Sequence, residues 1–127
     1  MSTILLVDAQ ASRRKLAAMT LQQAGHRVVQ GSRLRDAPEL ALRHAPELVL
    51  MGLEHPLADS LWALRCIKAH PATFELRLHA LGARVRAVDE VCIRAAGFDG
   101  LMATPLDYRA LQRYVDAALR TRHAARH

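Results

Sequence analysis

Two positions in this chain fall where a side chain could do chemistry. Thr3-Ile4-Leu5-Leu6-Val7-Asp8 is an apolar run that ends in an acid, and Pro46-Glu47-Leu48-Val49-Leu50-Met51-Gly52 is a second, followed by Leu53-Glu54-His55-Pro56. A short continuous apolar run bounded by turn residues suits a strand covered on both faces of a parallel sheet. In such sheets, ligands and reacting groups gather just beyond the carboxyl ends of the strands. The first run delivers a carboxylate to that place, Asp8; the second delivers Gly52, which has no nucleophile and no ligand atom. One carboxylate flanked by Ala9 is a poor magnesium site, because that ion asks for several oxygen ligands. His26, His44, His55, His70 and His79 lack the spacing of a zinc site, so no metal and no cofactor is expected.

The elements that must position Asp8 and Gly52 alternate along the chain. After the first strand, Ser12 is a candidate helix cap, Leu16, Ala17, Thr20, Leu21 and Ala24 recur at helical spacing, and Gly25 closes the helix. His26–Gly31 reads as a second, more polar strand, and Ser32–Arg35 as loop. The next helix should start near Asp36, because Pro38 fits only a first turn, and should carry Leu40, Ala41 and Leu42. After the central strand Pro46–Gly52, Asp59 or Ser60 can cap a helix with Leu61, Leu64, Cys66 and Ile67 that ends before Pro71. Leu76–Gly82 is a fourth strand. Val85, Val88, Val91, Cys92 and Ala95 mark a fourth helix closed by Gly97, and Asp99–Ala103 is a fifth strand. Thr104-Pro105 turns the chain. Asp107 should cap a last helix with Leu111, Tyr114, Val115, Ala118 and Leu119 facing inward. Five strand–helix units in a row predict an α/β fold, a doubly wound parallel sheet with right-handed crossovers and helices on both faces.

Composition narrows the classes. The 127 residues are 51% apolar and 24% charged, enough for one domain with its own core. No apolar stretch approaches the length of a membrane span, and Cys66 and Cys92 stand apart with no framework spacing, which fits free thiols in a reducing cytoplasm. The positive charge behind the formal +6 is nearly all Arg, spread over the predicted helices, and Arg and His gather in the stretch Arg120–His127. With little aromatic interleaving and no nucleic-acid motif, solvated helix faces account for it better than a nucleic-acid surface. The domain is expected over residues 1–120, with 121–127 a basic tail or the start of a linker.

The order and spacing resemble the receiver domain of two-component response regulators, the CheY-like family, over residues 3 to 120. Four stretches carry the likeness: Leu5-Leu6-Val7-Asp8 followed by Arg14; Pro46 to Leu53 followed by Pro56; Ala95-Ala96-Gly97-Phe98-Asp99-Gly100; and Thr104-Pro105-Leu106-Asp107. The resemblance implies a flavodoxin-like sheet of strand order 2-1-3-4-5 with five helices. In that family, paired acids after the first strand and an aspartate after the third hold Mg²⁺, and that aspartate accepts a phosphoryl group from a histidine kinase. A Ser or Thr after the fourth strand and a Lys after the fifth neutralise the added charge. Carried onto this chain, the first acid is Asp8, its partner Ala9, the phosphoacceptor Gly52, the Ser/Thr position Gly82 and the Lys position Thr104. Glu54 and Asp59 are poor substitutes: one sits where the family supplies a backbone carbonyl, the other reads as a helix cap.

The resemblance therefore implies a receiver without its phosphorylation chemistry and without enzymatic activity. Asp8 has two readings, a buried acid bonded to backbone N–H groups or to Thr104, and a remnant of the catalytic corner. Pro56 and Pro105 read as structural turns, the latter after a cis peptide in the family. The family's output face, formed by the fourth helix, fifth strand and last helix, would carry Asp89, Glu90, Arg94, Asp99, Leu101, Met102, Arg109, Arg113 and Asp116. Mixed charge around apolar residues suits a homodimer or a signalling partner, although Tyr114 stands where an Arg often makes an ionic bridge. The expected function is a phosphorylation-independent interaction module of a bacterial, cytoplasmic signalling protein. A small molecule or anion in the emptied pocket, and weak nucleic-acid binding through the Arg-rich surface, are the alternatives.

Overall fold

In a computed structural model the chain alternates strand and helix five times. The structure describes residues 2–54, 57–83, 87–104 and 107–125, with side chains left undescribed at 83, 87–89, 104, 108 and 121–125. The strands are β1 (Thr3–Val7), β2 (Arg27–Gly31), β3 (Leu48–Gly52), β4 (Arg77–Ala83) and β5 (Gly100–Thr104). The helices are α1 (Ala11–Gln23), α2 (Ala37–His44), α3 (Ala58–Ala69), α4 (Ala87–Ala96) and α5 (Tyr108–Ala125). All strand pairings are parallel, in the order β2-β1-β3-β4-β5. Fold class, strand order and helix number are those expected.

The sheet is covered on both faces because β3 is apolar at every position and β1 at every position after Thr3. All five residues of β3 are buried. Leu5, Val7, Val49, Met51, Leu78 and Ala80 point to one face, against Ala37 and Ala41 of α2, Ala63, Leu64 and Ile67 of α3, and Ile93 of α4. Ile4, Leu6, Leu48, Leu50 and Leu81 point to the other, against Ala17 and Leu21 of α1 and Leu111, Val115 and Leu119 of α5. Each large side chain taken from water in this way contributes about 1.5–3 kcal/mol before entropy is counted.

The glycine stops hold. Gly25 (φ 94°) and Gly97 (φ 124°) follow α1 and α4 in the left-handed region. In each, the next N–H reaches back to close the turn, His26 to the Leu21 carbonyl (3.1 Å) and Phe98 to that of Ile93 (3.3 Å). Asp107 caps α5: its Oδ1 accepts from the N–H of Arg109 (2.8 Å) and Ala110 (3.2 Å), and those bonds hold its carboxyl below the usual carboxylate range.

Several local expectations need correction. Ser12 does not cap α1; Gln10 occupies that position, and Ser12 lies inside the first turn. Residues 32–35 are not all loop, since Leu34–Asp36 forms a 3₁₀ turn leading into α2. Neither Asp59 nor Ser60 caps α3, which begins at Ala58 after Leu57. Asp59 instead pairs with Arg35 (3.3 Å), whose guanidinium also lies 4.9 Å from the Trp62 ring centre. In α4, Val91 and Cys92 face out, with Val91 67% exposed. Leu16 and Leu42 are likewise exposed rather than inward. α5 continues as helix to Ala125, into the segment read from sequence as a tail.

Candidate functional site

Asp8 follows β1 directly and is fully buried. Its Oδ1 accepts hydrogen bonds from the Gln10 N–H (2.9 Å) and from Arg13 Nη2 (2.9 Å), and its Oδ2 accepts from Arg13 Nε. The pairing is a two-pronged fork, the geometry in which guanidinium and carboxylate match best. Arg13 reaches it from the first turn of α1, with its side chain 12% exposed. Arg14, alongside, donates from Nη1 to the Asp8 carbonyl oxygen (2.7 Å). The corner thus holds a buried acid bonded to one backbone N–H, with Arg13 as a further partner absent from the sequence reading. The Thr104 side chain lies outside the described residues, as do Pro56 and Pro105 and the bond before the latter.

Gly52 closes β3 beside this pair. A Cβ on Gly52 would stand 2.6 and 2.7 Å from the two carboxylate oxygens of Asp8, well inside any contact a real side chain makes. The Asp8 carboxylate thus fills the volume that a residue at 52 would use. Gly82 on β4 is buried and pairs with Ala103 of β5, while Ala9 is exposed. The structure therefore brings Asp8 and Gly52 into contact at the carboxyl end of the sheet, with Arg13 between the acid and solvent.

A second polar pair lies on the same face of the sheet as α5. His79 of β4, 8% exposed, bonds through Nδ1 to the Tyr114 hydroxyl of α5 (2.6 Å), the rings meeting edge to face at 5.2 Å and 88°. Burial pushes the imidazole down to about 4, against the raising pull of Asp99, with Arg77, Arg94 and Lys68 adding to the lowering. Burial also pushes the Tyr114 phenol up to about 12. Both groups are neutral near pH 7. The pair sits over Gly100, where a Cβ would come 2.6 Å from His79 Nδ1. The sequence reading placed His79 within its strand and Tyr114 on the inner side of the last helix, but nothing linked them.

The expected interaction face is divided. Arg94 reaches Glu90 Oε1 (Nη2, 3.3 Å) along α4, and Arg109 and Arg113 are exposed on α5. Leu101 and Met102 are half-buried, each leaning on the core of one face of the sheet. Asp99, assigned to this face from sequence, turns inward instead: Oδ2 accepts from the Leu78 N–H (2.8 Å) and lies 3.6 Å from Lys68 Nζ, with Arg77 3.8 Å from Oδ1. Asp116 leans toward His26 (3.9 Å) at the end of α1. The Asp89 side chain lies outside the described residues.

A parallel sheet ordered 2-1-3-4-5, five helices and an acid after β1 are the architecture of CheY-like receiver domains. No family model matches the sequence. Among curated proteins, the chain is 25% identical over 118 residues to the phosphate regulon transcriptional regulatory protein PhoB of Pseudomonas aeruginosa. The match covers 93% of this chain and 52% of PhoB, so the chain spans about half the length of that relative. Among solved structures, a response regulator from Desulfuromonas acetoxidans superposes with a TM-score of 0.86 at 23% identity, covering 95% of this chain and 98% of its own. The receiver domain of the sensor histidine kinase PA1611 of Pseudomonas aeruginosa, which holds a magnesium ion in its active-site cleft, superposes at 0.82 with 26% identity, covering 93% and 97%. On these comparisons the chain has the fold of CheY-like receiver domains and is similar, at about a quarter identity, to regulatory proteins of two-component signalling.

The magnesium such a domain implies can be tested against the residues present. Both Asp8 oxygens are already bonded, to Arg13 and to the Gln10 N–H. Ala9 and Gly52 supply no side-chain oxygen. A divalent ion needs several hard oxygen ligands and would sit beside a fixed positive charge. The residues do not fit the ion. Among the described residues no cluster of His, Cys, Asp or Glu is arranged to hold a metal elsewhere.

Proposed function

We propose that this domain is a pseudo-receiver, which signals through protein contacts without being phosphorylated and has no catalytic activity of its own. The observation that carries the reading is the Asp8–Arg13 fork lying over Gly52. Where the family resemblance puts the acceptor carboxylate, this chain has a glycine whose side-chain volume is taken by its neighbour. Phosphoryl transfer needs a nucleophile and a cation to stabilise the developing charge, and position 52 offers no nucleophile. Contacts then fall to the face of α4, β5 and α5, which carries exposed Val91, Arg94, Arg109 and Arg113 and the Arg94–Glu90 pair. Mixed charges around an apolar centre suit a self-complementary surface, so a homodimer or a partner signalling protein is its ligand. No described helix is long and apolar enough to cross a membrane. The same reading places the domain in a bacterial cytoplasm.

Incubation with acetyl phosphate and Mg²⁺, followed by intact-mass measurement, tests the proposal. The expected spectrum contains the unmodified chain alone. A stable phosphate adduct would refute it. Light scattering of the chain and of an Arg94→Glu variant addresses the contact face, the variant being expected to lose dimer mass.

A further inference from the structure

We infer that the Arg13 guanidinium is the resident cation of the Asp8 corner, and that it excludes divalent metal from it. The inference rests on the reading of that corner as a receiver pocket and goes beyond it, because a missing acceptor alone does not say what neutralises the remaining acid. A buried carboxylate is costly unless it is paired. In this chain the pairing comes from the protein itself. Arg13 satisfies Oδ2 through Nε and Oδ1 through Nη2 (2.9 Å), and the Gln10 N–H takes a further lone pair of Oδ1 (2.9 Å). Guanidinium stays protonated at any pH a protein survives. The cation is therefore permanent, and neither a chelator nor dilution removes it.

Gly52 belongs to the same unit. The fork holds the carboxylate where a Cβ on residue 52 would be. A glycine at 52 and an arginine at 13 thus answer one another: the first leaves the volume, the second supplies the charge that keeps Asp8 in it. It follows that restoring an aspartate at 52 will not by itself restore a metal site. The new carboxylate would meet Asp8 in the same volume, with Arg13 already neutralising the pair. Removing Arg13 as well leaves two facing acids without a cation, which is a site that attracts a divalent ion.

Mn²⁺ is the probe, because the resonance of the free hydrated ion disappears when it binds. The full chain as it stands should leave the free-ion signal unchanged at millimolar Mn²⁺, and its melting temperature should be the same with Mn²⁺ or with chelator. Gly52→Asp should bind weakly, and Arg13→Met/Gly52→Asp about tenfold or more tightly than Gly52→Asp alone. Should the Met double variant not fold, Arg13→Gln/Gly52→Asp keeps hydrogen bonding to Asp8 while removing the charge, and the same gain is expected. Mn²⁺ uptake by the unaltered chain, or equal affinity of the single and double variants, overturns the inference. Either result leaves the acetyl phosphate test of the proposed function standing on its own.

Discussion

The two buried polar pairs, Asp8–Arg13 and His79–Tyr114, solve one problem in opposite ways. Each places polar atoms among apolar neighbours, and each is seated on a glycine, Gly52 under the first and Gly100 under the second. Asp8 and Arg13 are five residues apart, joined by a single turn of α1, and carry opposite charges. His79 and Tyr114 are 35 residues apart, come from β4 and α5, and are both neutral near pH 7. The charged pair has to be complete, since half of it would leave an uncompensated ion. The neutral pair can lose a partner at lower cost, but acid threatens it. The difference teaches that a buried charge is tied to composition, whereas a buried neutral hydrogen bond is tied to conditions.

The largest effect should come from breaking the charged pair. Arg13→Met leaves Asp8 buried with only the Gln10 N–H, and should cost about 3–5 kcal/mol of stability by urea denaturation. Asp8→Asn/Arg13→Met should recover part of that loss, because no ion then remains to be neutralised. Next comes acid. His79 titrates near 6.5 when unfolded and about 4 when folded, so the unfolded chain takes up the proton first. Its contribution is complete above pH 6.5 and is lost as pH falls toward 4, on the order of 3 kcal/mol over that window. His79→Leu, compared with the unaltered chain at each pH, should flatten that part of the profile; an unchanged slope would show that His79 is not the titrating group. Smaller again is Tyr114→Phe, which keeps the ring contact but leaves His79 Nδ1 without its partner, at about 1–3 kcal/mol in thermal or urea melts near pH 7. Arg43→Ala removes an exposed pair with Glu39 one helical turn away and should change stability by less than about 0.5 kcal/mol. It sets the floor against which the buried pairs are judged.

What was legible in the sequence follows the same division. The strands could be read because β1 and β3 are nearly continuous apolar runs, and two helix ends because only glycine sits easily at the φ of Gly25 and Gly97. Asp107 was readable as a cap because it stands immediately before the periodic residues of α5. Ser12, Asp59 and Ser60 misled for one reason: a capping residue type is common, and the helix began one or two residues earlier than each of them. Val91 misled because apolar residues stand on more than one side of α4, and it is Ile93 that is buried while Val91 and Cys92 are exposed. Asp8 and Gly52 were found as positions but not as neighbours in contact. A signal for Arg13 was present, a basic residue on the first turn of the helix after a buried acid, yet Arg14 drew the attention because the family resemblance uses it. Nothing in a linear reading joins His79 to Tyr114; that contact exists only once the sheet and α5 are assembled.

The occupied volume above Gly52 also bears on how this chain can change with time. Any single substitution at 52 places atoms where Asp8 already lies, and any single loss of Arg13 strands a buried anion. A first step at either of these two positions toward a phosphorylatable corner therefore costs folding stability. The corner behaves as a ratchet: drift can polish it, but reversal requires leaping over unstable intermediates rather than walking through them.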